Sequence, residues 1–336
     1  MPRAPNGARL GGGGGMAGTI GTTKTDAPNE SLITVLIAFA ANALIAIAKT
    51  VAAVLTGSAS MVAETAHSWA DTGNEVFLYV AERRSKRRAD TMHPFGYGKE
   101  AYVWSMFAAF GLFTVGAVVS VWHGFSELAD PEPAGDFGIA YAVLGISALL
   151  EGVSFLRSVR QARHDARERH TDTLRHIVDS SNPTLRAVFF EDAAALIGLA
   201  LAFGGILLHQ LTGSAVFDAI GSILVGVLLG VVAILLIGRN RDFLVGVMVD
   251  PRARDAVLRE VLADPRIDRV TRLHIEFLGP SSVLVIAAID LAGDAAEHDV
   301  AAVLHEIERA ILAHDRVGAV VLTLSAPGEA ALLPEQ

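Results

Sequence analysis

The chain has 336 residues, no cysteine and a formal net charge of −9. A hydrophobic share of 52% and a mean hydropathy of +0.45 are too high for an ordinary soluble enzyme and predict an integral membrane protein with a soluble remainder. The missing cysteines exclude disulfides, thiolate metal sites and cysteine nucleophiles, and no basic stripe on a soluble fold points to a nucleic-acid partner.

Residues 1–31, with GGGGG at 11–15, have no apolar core and no cleavage site, so they are expected to be a disordered tail and not a signal peptide; Met16 is an alternative start. Six apolar stretches follow, at 32–56, 59–82, 101–128, 137–158, 185–209 and 216–237, and define a membrane domain over 32–240. The second and fifth are the least hydrophobic. Arginines crowd the connections after spans two (ERRSKRRAD), four (RSVRQARHDARERHTDTLRH) and six (GRNRD). The opposite connections, TGS, ADPEPAGD and HQLTGS, contain no Lys or Arg. The positive-inside rule therefore puts the basic loops and both termini in the cytoplasm. The preference for Arg over Lys, with abundant Ala and Gly, suggests a GC-rich bacterial genome, and the expected location is then a bacterial plasma membrane.

From residue 248 to 327 the pattern becomes that of a small soluble domain. DPRARDAVLREVLADP reads as an amphipathic helix opened by Asp250-Pro251. RVTRLHIEFLG and SSVLVIAAIDL read as strands joined at Gly279-Pro280. EHDVAAVLHEIERAILAHD places Val300, Val303, Leu304, Ile307, Ile311 and Leu312 on one helical face. VGAVVLTLS is a third strand, and residues 328–336 are a tail. The predicted fold class is an all-α bundle of six transmembrane helices followed by a small cytoplasmic α+β domain.

The chemistry concentrates in span two, in AETAHSWADTGNE at 63–75. A charge at the centre of a membrane helix costs about 2.5–3.5 kcal/mol on insertion scales and persists mainly where it lines a polar cavity, pairs, or binds an ion. His67 and Asp71 are one turn apart, with Glu64 before them and Asn74 after them on the same stripe. Imidazole with carboxylate suits a borderline divalent metal such as Zn²⁺. A second polar helix must complete the shell, and span five carries Glu191 and Asp192 within apolar sequence. Adjacent residues point about 100° apart on a helix, so one of these acids can face the site while the other faces elsewhere. Asp218 near the outer end of span six is a candidate cap for that span. The HxxxD spacing also occurs in soluble acyltransferases, but here it lies inside a membrane span, and no nucleophile accompanies it.

These strings together resemble the cation diffusion facilitator family of divalent-metal exporters. The likeness covers span two (GSASMVAETAHSWADTGN), the loop HPFGYGKE, the six-span layout and the C-terminal domain. It implies a metal/proton antiporter that exports zinc and has no prosthetic group. The family's paired intramembrane ligands fall on His67 and Asp71 in span two and begin at Glu191 in span five. The position four after Glu191 is Ala195, which leaves Asp192, Glu64 or water as the fourth donor. The resemblance also implies a second, weak metal site at Asp90 and His93, with Tyr97 where some members have another His. The soluble domain is similar to the family's metallochaperone-like, ferredoxin-type domain, which implies a homodimer. The family's metal ligands there are absent at Thr271, Ala287 and Ala288. Lys99 matches a family lysine that pairs with an acid near the end of span six, where this chain has FLVGVMVD. Export of manganese, iron, cobalt or cadmium, or a membrane metal-binding protein without transport, remain open alternatives.

Overall fold

The computed structural model describes residues 28–131, 137–168, 172–280, 282–293 and 296–334. Most of the expected N-terminal tail, the Met16 start and part of ADPEPAGD lie outside the described residues. The membrane part consists of α1 (Pro28–Thr56), α2 (Ala59–Ser85), a helical run of α3 (Glu100–Gly111), a π-helical turn (Leu112–Val118) and α4 (Val119–Ala129), then α5 (Phe137–Glu168), α7 (Pro183–Thr212) and α8 (Val216–Val245). A short α6 (Thr173–Asp179) precedes α7. Five of these are long and apolar enough to cross a membrane: Phe39–Thr56, Glu100–Ala129, Phe137–His164, Pro183–Thr212 and Val216–Val245. Helix α2 has the length, at 27 residues, but its polar stripe keeps it below that composition.

The bundle is apolar outside and small or polar inside. Val54, Trp122, Leu149 and Ile234 stand largely exposed on its flanks. The interior between α2, α7 and α8 is built from Ala63, Ala70, Ala187, Ala194 and Ala233 around Leu112, Val225 and Leu229. Helices without bulky inner faces approach closely, as expected where lipid supplies no hydrophobic drive to helix association.

Two helices depart from the expected spans. Helix α5 runs about ten residues past position 158, because RSVRQARHDARE is rich in good helix formers and only its charge suggested a loop. The third span holds a π-turn at Leu112–Val118, and nothing in the apolar pattern marks it.

Asp218 caps α2, not its own helix. Its carboxylate accepts from Ser58 Oγ (3.0 Å), Ala59 N (2.8 Å) and Ser60 N (3.1 Å), while Ser60 Oγ donates to the Asp218 carbonyl at 2.9 Å. The first turn of α2 leaves orphan amides in a dry environment, and a buried anion from α8 satisfies them and complements the helix dipole.

The soluble part is α9 (Pro251–Leu262), β1 (Ile267–Gly279), β2 (Ser282–Leu291), α10 (Glu297–Leu312) and β3 (Val317–Leu324). The sheet order is β1-β2-β3, with β1 and β2 antiparallel and β3 parallel to β2. Leu258, Val270, Ile275, Val285, Ile289 and Ile307 fill its core. Within the apolar face expected of α10, Ile307 is buried and Val303, Leu304 and Ile311 pack on the core, but Leu312 at the helix end is exposed.

The sheet docks on the bundle through two glycines. A Cβ on Gly98 would lie 2.5 Å from the Leu278 carbonyl oxygen, and one on Gly279 would lie 2.7 Å from Gly98 Cα. Ser181 Oγ donates to the Pro280 carbonyl at 2.7 Å, and Lys99 Nζ lies 3.1 Å from Glu276 Oε1. The partner of Lys99 is thus an acid on β1, not one at the end of α8. These contacts put the loops after α2 and α6 on the same side of the bundle as the α+β domain.

Removing the Asp218 carboxylate should cost about 1–3 kcal/mol for each buried amide it leaves unpaired. Asp218→Ala is expected to lower the thermal midpoint of the detergent-solubilised protein, with Asp218→Asn, which keeps one acceptor oxygen, in between. Equal midpoints for all three proteins would refute the cap.

Candidate metal centre

Helix α2 turns its polar stripe inward. Glu64, His67 and Asn74 are buried, and Asp71 is 18% exposed at its side chain. His67 Nε2 and Asp71 Oδ2 face each other at 3.5 Å, the limit of a hydrogen bond. Asn74, one turn on, donates from Nδ2 to Glu191 Oε1 at 2.7 Å, so the amide carries the stripe across to α7. Asn42 of α1 donates to Glu75 Oε1 at 2.6 Å.

Glu191 and Asp192 separate as their helical angle requires. Glu191 is buried toward α2, whereas Asp192 Oδ2 accepts from Ser154 Oγ of α5 at 3.1 Å. Glu64 is also engaged elsewhere: Lys49 of α1 donates to its Oε2 at 2.8 Å, and both side chains are fully buried. Gly198 of α7 makes room for this carboxylate, since a Cβ there would lie 2.6 Å from Glu64 Oε1. The structure therefore brings His67, Asp71, Asn74 and Glu191 together along one seam, and turns Asp192 and Glu64 to other partners. Among the described residues, no three His, Asp or Glu side chains converge closely enough to hold an ion as they stand.

The seam is rich in unused polar atoms. Glu64 Oε1, both nitrogens of His67, Asp71 Oδ1, Asn74 Oδ1 and Glu75 Oε2 are buried without a hydrogen-bond partner. Such orphans are few in folded proteins, and each calls for an explanation. The oxygens, and one of the two imidazole nitrogens in the neutral ring, can donate a lone pair. A cation or protons placed among them would relieve the cost of their burial.

Three polar residues of the spans were not singled out from sequence. Lys49 in IAIAKTVAAV and Glu151 in LLEGVS are each a lone charge in an apolar run, which is itself the signal. Asn42 carries no charge and leaves no such mark.

The second candidate pair forms a closed loop. Asp90 Oδ1 accepts from the amides of Met92 (3.0 Å) and His93 (2.8 Å), and Asp90 Oδ2 accepts from Tyr97 Oη at 2.6 Å. The Tyr97 hydroxyl, followed by the His93 amide, holds the Asp90 carboxyl down at about 2. Arg87 lies over the Tyr97 ring at 4.2 Å, and the His93 ring lies 4.2 Å from it. The carboxylate is thus charged at any physiological pH, with its oxygens turned to the loop. In the soluble domain, Thr271 Oγ1 bonds Ser325 Oγ and Glu329 Oε2, each at 2.8 Å. His298, His305 and His314 are exposed and His274 is half-buried, and each lies beside an acid.

Comparison with known proteins places the chain in a family. The family model for the cation efflux transmembrane domain matches residues 35–245, which include α2, α7 and the whole polar seam. The chain is 36% identical to metal tolerance protein C4 of Arabidopsis thaliana over 233 residues, 69% of this chain and 51% of that protein. It is 32% identical over 287 residues to the mitochondrial proton-coupled zinc antiporter SLC30A9 of Xenopus laevis, 84% of this chain and 51% of that one. It is 25% identical over 270 residues to the metal cation efflux system protein CzcD of Cupriavidus metallidurans, 80% of this chain and 79% of that protein. The chain spans about half the length of the first two relatives. From the family match over most of its membrane part, the chain belongs to the cation efflux, or cation diffusion facilitator, family, whose members are transporters and not enzymes.

Proposed function

We infer that the protein exports a divalent cation, zinc, in exchange for protons. The observation that carries the reading is the buried seam of His67, Asp71 and Glu191 inside a membrane bundle, where both His67 nitrogens and Asp71 Oδ1 lack a hydrogen-bond partner and Glu191 is held by Asn74. Zinc takes imidazole and carboxylate together, and one imidazole with two carboxylates is a donor set it accepts. Water or the Asn74 carbonyl oxygen fills the remaining position. The SLC30A9 relatives are named proton-coupled zinc antiporters, which supports both the cargo and the coupling.

Zinc enters from the cytoplasmic side between α2 and α7. Binding requires ligands free of protons, so zinc and protons compete for the same atoms. An imidazole ordinarily titrates near neutrality, which suits it to such an exchange. Rocking of the helices about the site opens it to the far side, where protons displace the cation and return inward. Alanine-rich packing between α2, α7 and α8 leaves little side-chain interlock to oppose that motion. The basic loops share a side with the α+β domain, which supports a cytoplasmic position for both. The membrane is a bacterial plasma membrane in this reading. The α+β domain pairs with a second copy, a role supported by the apolar side chains Leu312, Val321 and Leu324 that it leaves exposed.

Two outcomes are expected of His67 variants. In proteoliposomes with a zinc-sensitive dye, His67→Ala should slow zinc flux by at least about tenfold, in line with the effect of losing metal-site groups. Normal flux with normal proton coupling would remove His67 from the site. His67→Asp makes the donor set all oxygen, which favours harder cations. The ratio of zinc to manganese transport in a competition assay should fall; an unchanged ratio would mean that other residues choose the metal.

A further inference from the structure

Lys49 is a fully buried ammonium in the first helix of a protein whose cargo, on the reading above, is a cation. A positive charge so close to a metal path needs a reason. Its Nζ donates to Glu64 Oε2 at 2.8 Å, and Glu64 stands one turn before His67 on the stripe that carries the seam. The other oxygen, Glu64 Oε1, is buried and unbonded, accommodated by the missing side chain of Gly198. By position and chemistry Glu64 could be a ligand. By contact it belongs to Lys49.

We propose that Lys49 is a specificity-determining residue that withholds Glu64 from the transported cation, so that the ion meets His67, Asp71 and Glu191 but not a third carboxylate. The inference rests on the metal reading of that seam. Its physical content is a balance of charge. Three carboxylates around a dication would leave the loaded site net negative, and in a low-dielectric interior such a site holds its cation tightly. A transporter needs binding weak enough to release. The buried Lys49–Glu64 pair is neutral as a unit, and the ammonium adds repulsion toward any cation that approaches Glu64. A fixed internal cation thus sets both the ligand count and the affinity.

The test is zinc affinity of the full chain in lipid nanodiscs at neutral pH, measured by competition with a chelating dye. Three proteins are compared: wild type, Lys49→Met and the double variant Lys49→Met/Glu64→Gln. Lys49→Met frees Glu64 for the metal and should tighten zinc binding by at least about tenfold, given the strength of charge interactions at such range. The double variant adds no unpaired buried charge to those of the wild type, so it folds where the single variant is at risk. It should bind zinc within about threefold of wild type, well inside the tenfold that 1.4 kcal/mol represents. Two results would overturn the inference while leaving the metal reading intact. One is wild-type binding with no tightening in folded Lys49→Met. The other is a tenfold or greater loss in the double variant, which would make Glu64 a ligand already. Failure of the wild type to bind zinc, or manganese offered in its place, would overturn the metal reading and this inference with it.

Discussion

Everything in the bundle answers to one constraint: acids and an imidazole held in an apolar slab must be satisfied from within the protein. A membrane offers no water to an unpaired carboxylate, so each of these groups needs a donor, a counter-charge or an ion. The structure meets the need differently at each residue. Glu64 has Lys49, Glu75 has Asn42, Asp192 has Ser154 and Asp218 has the amides that open α2. Glu64 Oε1 and Glu75 Oε2 stay unbonded even so, and along the seam from His67 through Asp71 the shortfall is greatest, with both imidazole nitrogens and Asp71 Oδ1 unpartnered.

The rest of the architecture serves to present that seam. Asp218 pins the start of α2 to α8, and Gly205 and Gly221 let α7 and α8 close on Ser60, since a Cβ at either would lie within 3 Å of Ser60 Oγ. The apolar bulk is displaced to the outside, where lipid receives it. At the other end of α2, the chain turns through the closed Asp90 loop and meets the sheet at Gly98 and Gly279. That contact connects the soluble domain to the helix that carries the proposed site, with Lys99 and Glu276 as its charged fastening. A shift of the sheet would be felt first at the α2–α3 connection.

Much of this was legible in the residues alone. Six apolar stretches, the alternation of basic and uncharged loops, and a helix–strand–strand–helix–strand pattern gave the architecture because hydrophobic periodicity is a local property. The polar stripe of α2 was legible for the same reason, since i, i+3 and i+4 spacing places side chains on one face. Partners across helices were not. Adjacent Glu191 and Asp192 were known to diverge, but which of them faces α2 depends on the rotation of α7 about its axis. Lys49 lies 15 positions from Glu64 and Lys99 lies 177 from Glu276, distances over which no spacing rule operates. The π-turn in the third span, where Gly116 packs against Leu229, is encoded by no apolar pattern. The long α5 shows the opposite error: a charge-rich stretch after an apolar one looks like a loop, yet arginine and alanine are content in a helix that extends into water.

The central claim is that the unfilled atoms of the α2 stripe receive the cation together with Glu191. Zinc K-edge X-ray absorption on nanodisc-embedded protein loaded with equimolar zinc tests it most directly. The account predicts a first shell of oxygen and nitrogen donors with the outer-shell scattering of a single imidazole, and loss of that imidazole signal in His67→Ala. A shell with no imidazole, or an imidazole signal that survives in His67→Ala, would contradict it.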